Sequence, residues 1–568
     1  MSDIAQPSFN LLTNPWIPVV GLSGGTAEVS LLTLFRDAHR IRRVIGDIPQ
    51  LELPLIRLCV AIMYRAFAGG FERELRRSEM RKAWEALWLK GSFPMEALED
   101  YLDEYKEGFD LFGARPFFQV PGLAYSSKDK EFDPIRELIA DVPKDAKYLF
   151  SMRARNAPGD ISYAEAARWL LFFNSYDFAG IKTPVVGNSS ARNGKVYPPK
   201  GYPGTGWLGS IGGVFLEGNN LFETLMMNFV MYDTAFPDRV LFENEHDSAP
   251  WERSTPLADC EIKIPQGPAQ MLTWQSRRAR LVASEVPGQV KGVIGCYGDV
   301  LHPTEAPGWE TMTSWRPSAQ QQKALGTSTV PLMPKTHVCG RALWRGLSAL
   351  LSKGESADGD YRPGVIRWLE ELRYEEIEGV PDVVTIHAQG VEYGAQSSVI
   401  ANALDDRIDL GSAMMRSDSE ATTQTIALVA QTEQAVSRLA TFVREVGRIK
   451  GDARGDRDSQ TGRMSDDVRD RAYAELDELF RSKIAGFSTD EPVVEYCNAW
   501  YDETHRVLLR LARSYLADAG PQPFTQRKVY TNATYSAAEA FSRLSFSLNE
   551  LLGSIEAPRK REGVSDDA

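Results

Sequence analysis

The chain has 568 residues, 43% of them hydrophobic, and a formal net charge of −13. That length predicts two or more domains with a sizeable core. The acidic balance excludes a generic nucleic-acid coat, because neutralising phosphates takes clustered Lys and Arg, though it leaves room for a small local basic site.

In chain order, residues 9–20 (FNLLTNPWIPVV) are apolar around an Asn14-Pro15 turn signal and predict two short strands, or a strand-turn, burying Trp16. Helices are expected over Leu31–Ile41, Leu53–Ala68, Arg77–Lys90 and Pro94–Glu107; in the second, Leu55, Leu58, Cys59, Ile62 and Ala66 recur at core-facing helical spacing. An aromatic cluster, FDLFGARPFFQV (Phe109–Val120), surrounds a turn. A loop at Phe150–Asp160 carries two arginines, and a helix over Tyr163–Phe173 leads into the stretch Tyr176–Gly213. There glycine recurs at nine positions, with four prolines among them. A loop this long is functional or disordered. Tyr176, Phe178, Ile181, Tyr197, Tyr202 and Trp207 argue for order, since aromatics are sparse in unfolded segments. We read it as a platform that presents backbone to a ligand.

Leu221–Tyr232 reads as helical. Residues 237–330 mix short strands with turns and include TWQSRRARLV (Thr273–Val282), whose interleaved basic residues predict an exposed strand. Helices follow at Arg341–Leu351 and Val365–Leu372. Beyond about residue 400 four amphipathic helices succeed one another, anchored on Val436, Leu439 and Val443, on Leu476 and Phe480, on Trp500 and Val507, and on Leu544 and Leu548. A charged link, Gly451–Arg463, is expected to be mobile, and the tail Pro558–Ala568 disordered.

No apolar run approaches the roughly 18 residues of a membrane span, and MSDIAQPSFN lacks the parts of a signal peptide. A soluble, cytoplasmic protein with no membrane partner is expected. The five dispersed cysteines fit reduced core thiols better than disulfides or zinc. Gly204–Gly209 satisfies G-x-G-x-x-G, but prolines rather than a hydrophobic strand precede it, which excludes a dinucleotide fingerprint. There is no Walker A sequence, no G-x-S-x-G and no H-E-x-x-H, and the six histidines are isolated from one another. No catalytic residue, metal ligand or cofactor is indicated. Lys291, between Gly288 and Gly292, reads as a turn lysine. Gln396, in HAQGVEYGAQSSVI, reads as a loop tip at the N-terminal edge of a helix, with Ser397 or Ser398 as a possible cap.

Several of these segments together resemble the CasA family, the large subunit of Cascade, the RNA-guided surveillance complex of type I-E CRISPR systems. They are FNLLTNPWIPV, FDLFGARPFFQV, AARWLLFFNSYDFAGIK running into GYPGTGWLG, TWQSRRARL, and GVEYGAQSSVI before four helices; the resemblance spans residues from about 9 to 556. It implies a non-catalytic protein that recognises the protospacer-adjacent motif in double-stranded target DNA and starts strand separation. It further implies assembly with the CRISPR RNA-containing Cascade subunits and recruitment of a helicase–nuclease. By the same resemblance, Lys291 corresponds to the family's lysine finger and Gln396 to its glutamine wedge. Ala179 and Gly180 correspond to its glycine loop, where this chain departs from the glycine-rich pattern with Ala179 and Ile181.

The expected fold is α+β: a large mixed α/β N-terminal domain, residues 1–402, followed by a C-terminal four-helix bundle, residues 403–568. Two rival functions remain at this stage. One is a metal-dependent nuclease or hydrolase with its site in 237–330; the other is a purely architectural subunit.

Overall fold

The computed structural model describes residues 7–67, 76–140, 159–198, 200–236, 241, 246–353, 360–411, 414, 416–451, 460–485, 487, 492–530 and 533–553. Most of the arginine-bearing loop at Phe150–Asp160, residues 452–459 of the charged link and the C-terminal tail lie outside these residues. Tertiary contacts divide the chain into residues 1–341 with 353–407, and residues 342–352 with 408–568.

In the first unit Trp16 is fully buried and its indole donates to the Leu11 carbonyl at 3.0 Å, closing the Asn14-Pro15 turn. Strands β1 (Ile17–Gly21), β2 (Thr26–Val29) and, after helix α1 (Leu31–Arg36), β3 (Ile41–Val44) form an antiparallel sheet ordered β2-β1-β3. The helix expected over Leu31–Ile41 is therefore shorter. It stops at Arg36 because Ile41 and Val44 are drawn into strand pairing with β1. Helix α2 (Glu52–Ala66) is buried on nearly every face, as a helix apolar all round must be. Its Arg57, 2% exposed, clamps Glu310 through two hydrogen bonds of 2.8 and 2.9 Å. Helices α3 (Arg77–Trp88) and α4 (Met95–Glu104) follow, then the short strands β4 (Asp133–Pro134) and β5 (Ile161–Ser162).

Helix α5 (Tyr163–Tyr176) runs into the glycine-rich platform, which is ordered over its described residues. The Gly206 amide bonds to the Asp177 carbonyl at 2.9 Å, and a Cβ at 206 would sit 2.4 Å from the Ser175 carbonyl, so only glycine allows this approach. The Trp207 indole donates to Glu310 at 2.7 Å, fastening the platform to the ion pair of α2. Next come β6 (Gly213–Glu217), α6 (Leu221–Asn228), α7 (Pro268–Leu272) and the hairpin β7 (Arg277–Ala283) with β8 (Gln289–Tyr297). Strand β8 also pairs along its other edge with β4 and β5. After β9 (Trp315–Pro317), α8 (Ala319–Leu325) and β10 (Leu332–Pro334) comes a segment of the second unit carrying α9 (Ser348–Leu351). Then α10 (Gly364–Tyr374) leads to β11 (Val383–Tyr393) and β12 (Ile400–Gly411), in a sheet ordered β12-β11-β6.

The arginine-rich strand is not exposed as its sequence predicts. Arg277 and Arg278 are 2% and 1% exposed, because Asp177 and Asp299 neutralise them inside the unit.

The second unit is built on α11 (Glu420–Lys450), α12 (Gln460–Ala485), α13 (Val493–Asp518) and α14 (Ala537–Leu551), with a hairpin of β13 (Arg527–Tyr530) and β14 (Ala533–Tyr535). Val436, Leu439, Val443 and Val446 of α11 are fully buried, and the Trp500 indole donates to Thr432 at 2.9 Å. Residues 460–463, expected in the link, form the first turn of α12. The expected helix Arg341–Leu351 is a 3-10 turn, Leu343–Gly346, and α9; there Trp344 stacks on Phe480 at 4.5 Å and donates to Asp477 at 2.8 Å. The boundary expected after residue 402 falls inside β12. No helix among the described residues is long and apolar enough to cross a membrane.

Candidate nucleic-acid interface

Lys291 is not on a turn. Val290, Val293 and Ile294 are buried and carry the chain as a strand, with Lys291 third in β8. The adjacent glycines serve the hairpin itself. Gly288 takes φ +81° in the turn, and at Gly292 a Cβ would meet the Phe132 ring at 2.2 Å. Ala283 faces Val290 while Val282 faces Gly292, so Lys291 is skipped: it is the extra residue of a β-bulge. Bulges re-aim a side chain out of the pleat. The Lys291 ammonium lies 2.5 Å from Glu285 Oε1 and 5.5 Å from the centre of the Phe132 ring. The Glu285 hydrogen bond raises the lysine pKa, and Glu131 and Asp160 add to it.

The Ala179–Gly180 segment follows the C-terminus of α5. Asp177 caps that helix and accepts from Lys182 Nζ at 2.6 Å and from Arg277 Nε at 2.5 Å. Burial works against the Asp177 carboxylate, but the two cations outweigh it and lower its pKa. Both backbone groups of Gly180 meet the Tyr297 hydroxyl: the amide donates to it at 3.1 Å and the carbonyl accepts from it at 2.6 Å.

Gln396 sits at the tip of the β11–β12 hairpin rather than at a helix edge. A single 3-10 turn covers Ala395–Ser397, and strand β12 then begins at Ile400, driven by the apolar, strand-spaced Leu404, Ile408 and Leu410. The Gly394 amide bonds to Val399 at 2.9 Å to close the tip. Gln396 and Ser397 both have left-handed backbone, φ +57° and +50°, which is costly for residues with a Cβ. Such strain gathers where a structure holds a loop in a functional geometry. Gln396 is exposed.

Beneath this hairpin lies a buried polar cluster that the isolated histidines of the sequence gave no sign of. His387 of β11 is fully buried, with Nδ1 2.6 Å from Glu217 of β6 and Nε2 2.6 Å from Asp405 of β12. Arg407 reaches Glu217 and Glu52, each at 3.0 Å, and Gln389 donates to Asp405 at 2.8 Å. Burial disfavours the imidazolium, but its hydrogen bonds to Asp405 and Glu217 outweigh that and raise its pKa. Against the same opposing effect of burial, the His387 bond holds Glu217 and Asp405 each at about 2. Burial dominates at Glu52 and pushes its carboxyl up. Glu52, Glu217 and His387 are close enough to suggest a metal site. Two ligands of one tetrahedral zinc at about 2.0 Å lie about 3.3 Å apart, whereas His387 and Glu217 are 2.6 Å apart, the distance of a shared proton. Arg407 already supplies the cation to both glutamates. The cluster is a hydrogen-bonded ion network that fastens the hairpin to β6 and α2.

The expected positions share one scaffold. The Tyr393 hydroxyl, beside the hairpin tip at the end of β11, donates to the Tyr176 carbonyl at 2.7 Å, close in sequence to the Ala179–Gly180 loop. Tyr297, which holds that loop, ends the strand on which Lys291 lies near the start. Six strand residues place Lys291 on the order of 20 Å from Tyr297 along β8. Sequence reasoning missed Arg277, Tyr297 and Tyr393. Their partners lie 100, 117 and 217 residues away, and no local pattern marks a buried side chain whose partner is that distant.

The sequence matches the family described as CRISPR-associated protein Cse1 over residues 10–511. A CasA/Cse1 protein of Thermus thermophilus is 29% identical over 409 residues, 70% of either chain. The crystal structure of Thermobifida fusca Cse1 is 31% identical with a TM-score of 0.83, covering 96% of this chain and 98% of that one. A chain of a CRISPR RNA-guided surveillance complex shares the fold at 19% identity, with a TM-score of 0.66 over 95% of this chain and 99% of that one.

Proposed function

The chain belongs to the CRISPR-associated Cse1 family, and from that membership we propose that it is a non-catalytic, DNA-recognising subunit of an RNA-guided surveillance complex. It reads the protospacer-adjacent motif of duplex DNA, wedges the strands apart and helps bring in the helicase–nuclease. The observation that supports this most is that the three segments singled out by resemblance all depart from regular backbone. Lys291 is a bulge residue, Gln396 is left-handed at a hairpin tip, and the Ala179–Gly180 loop is tethered through buried side chains.

The chemistry follows from the groove. Every base pair offers acceptors in the minor groove, and only G·C adds a donor. A lysine ammonium and backbone amides are donors, so they read that groove permissively. A side chain pushed into a base step costs a few kcal/mol of unstacking, offset by new contacts. That opening nucleates the seed heteroduplex, after which guide pairing reads the sequence. A chain this acidic relies on basic partners in its complex to hold the DNA backbone.

The nuclease alternative finds little support in the described part of 237–330. The buried Asp299 is taken by Arg278 and Lys263, and Asp247 accepts the amides of Ala269 and Gln270. The test is a gel shift of the reconstituted complex, with and without this chain, on targets of varied motif. Motif-dependent binding that needs the chain is expected. Equal binding without it, or cleavage by the isolated chain with Mg²⁺ or Mn²⁺, overturns the reading.

A further inference from the structure

The loop that follows α5 has almost no free hydrogen-bonding capacity left. Arg277, 2% exposed, donates through Nη2 to the carbonyls of Asp177 (3.1 Å), Phe178 (3.2 Å) and Gly204 (2.9 Å), and through Nε to the Asp177 side chain. Its guanidinium lies 5.0 Å from the centre of the Tyr297 ring, which is 1% exposed. The single hydroxyl proton of Tyr297 goes to the Gly180 carbonyl, and its lone pair takes the Gly180 amide. The Tyr176 carbonyl is taken by Tyr393, and the Lys182 amide by Val196. Among the described residues the amides of Ala179 and Ile181 have no hydrogen-bond partner. Ala179 is 9% exposed, whereas Ile181 is 55% exposed, which puts residue 181 on the open side.

We infer that Tyr297 and Arg277 are positioning residues that hold the 177–181 loop in its reading geometry, and that the donor this loop presents to DNA is the Ile181 amide rather than that of Gly180. The inference rests on the DNA-reading function proposed above and names the device that sets its specificity. Gly180 cannot offer its amide without giving up Tyr297. Because Tyr297 grips both the amide and the carbonyl of Gly180, that carbonyl shares its peptide plane with the Ile181 amide, and Arg277 gathers three carbonyls nearby, the Ile181 amide is held at a fixed place, with little ordering left to do when DNA arrives. Buried polar groups satisfied in this way rigidify a site.

Tyr297→Phe keeps the ring beside Arg277 and removes only the hydroxyl. In the reconstituted complex it should cut the preference for motif-bearing over motif-free duplex by about tenfold, the scale of one or two neutral hydrogen bonds, with motif-free affinity unchanged. Hydrogen exchange of a peptide covering 178–182 in the full-length chain should speed up at the Gly180 amide. A purely structural role would instead weaken both duplexes together. Ile181→Pro, which deletes the amide and leaves Tyr297 in place, should abolish the same preference without faster exchange at Gly180. A wild-type preference in both variants overturns the inference, as does unchanged exchange at Gly180 in Tyr297→Phe. A wild-type complex with no motif preference overturns the parent function instead, and the exchange measurement still decides the clamp.

Discussion

Replacing Glu217 by Gln tests the ion network that fastens the β11–β12 hairpin. Glu217 is 7% exposed, and its carboxylate touches His387 at 2.6 Å and Arg407 at 3.0 Å and is held at about 2 against an ordinary 4.5. At roughly 1.4 kcal/mol per tenfold change in proton affinity, the ionised form is favoured by about 3 kcal/mol in the folded protein. That matches the loss of about 3–5 kcal/mol seen when one member of a buried ion pair is removed. A depressed carboxylate pKa stabilises above the unfolded value and ceases to do so as pH falls through the folded value. The difference between wild type and variant should therefore be about 3 kcal/mol at pH 7 and about 1.4 kcal/mol at pH 3. His387 has the opposite sign. Its pKa is raised, so its stabilisation is complete below about 6.5 and is lost as pH climbs through the folded value; the variant should flatten that alkaline slope as well. Urea unfolding followed by tryptophan fluorescence at several pH values reads both effects. A loss under about 1 kcal/mol at pH 7, or an equal loss at pH 7 and pH 3, would refute the network as described.

Three further outcomes are expected. Lys291→Ala should weaken motif-bearing duplex more than motif-free duplex, while Glu285→Gln, which frees the lysine from its 2.5 Å partner, should tighten both; affinities at two salt concentrations decide, and a uniform Lys291 loss with a shallower salt slope would mean a phosphate contact instead. Gln396→Ala should fail to open linear duplex, recover partly on supercoiled plasmid and almost fully on DNA already bubbled beside the motif, followed by permanganate footprinting. Wild-type opening of linear duplex by that variant would make Gln396 an ordinary turn residue. Ser397→Gly relieves a left-handed backbone angle and should raise thermal stability by up to about 1 kcal/mol; a comparable loss would show that Ser397 is not strained.

Elements whose stability depends on their own apolar spacing were legible in the sequence. The four C-terminal helices declared themselves through Val436, Leu439, Val443, Trp500 and Leu544, because burying one face of a helix is a local, periodic requirement. The α+β class, the burial of Trp16 and the order of the glycine-rich platform were equally readable, as was the resemblance to the family the chain belongs to. Wherever a residue's role depends on a partner far along the chain, the tertiary structure decided. TWQSRRARL reads as a solvated strand until Asp177 and Asp299 arrive to neutralise Arg277 and Arg278. Lys291 reads as a turn lysine until strand pairing leaves it unmatched in a bulge. Six isolated histidines give no hint that His387 is to meet Glu217, 170 residues away, and Asp405 across the hairpin. Hydrophobic burial is non-directional and writes a period into the sequence, whereas a buried charge needs one particular partner at one distance, and only the completed fold brings that partner in.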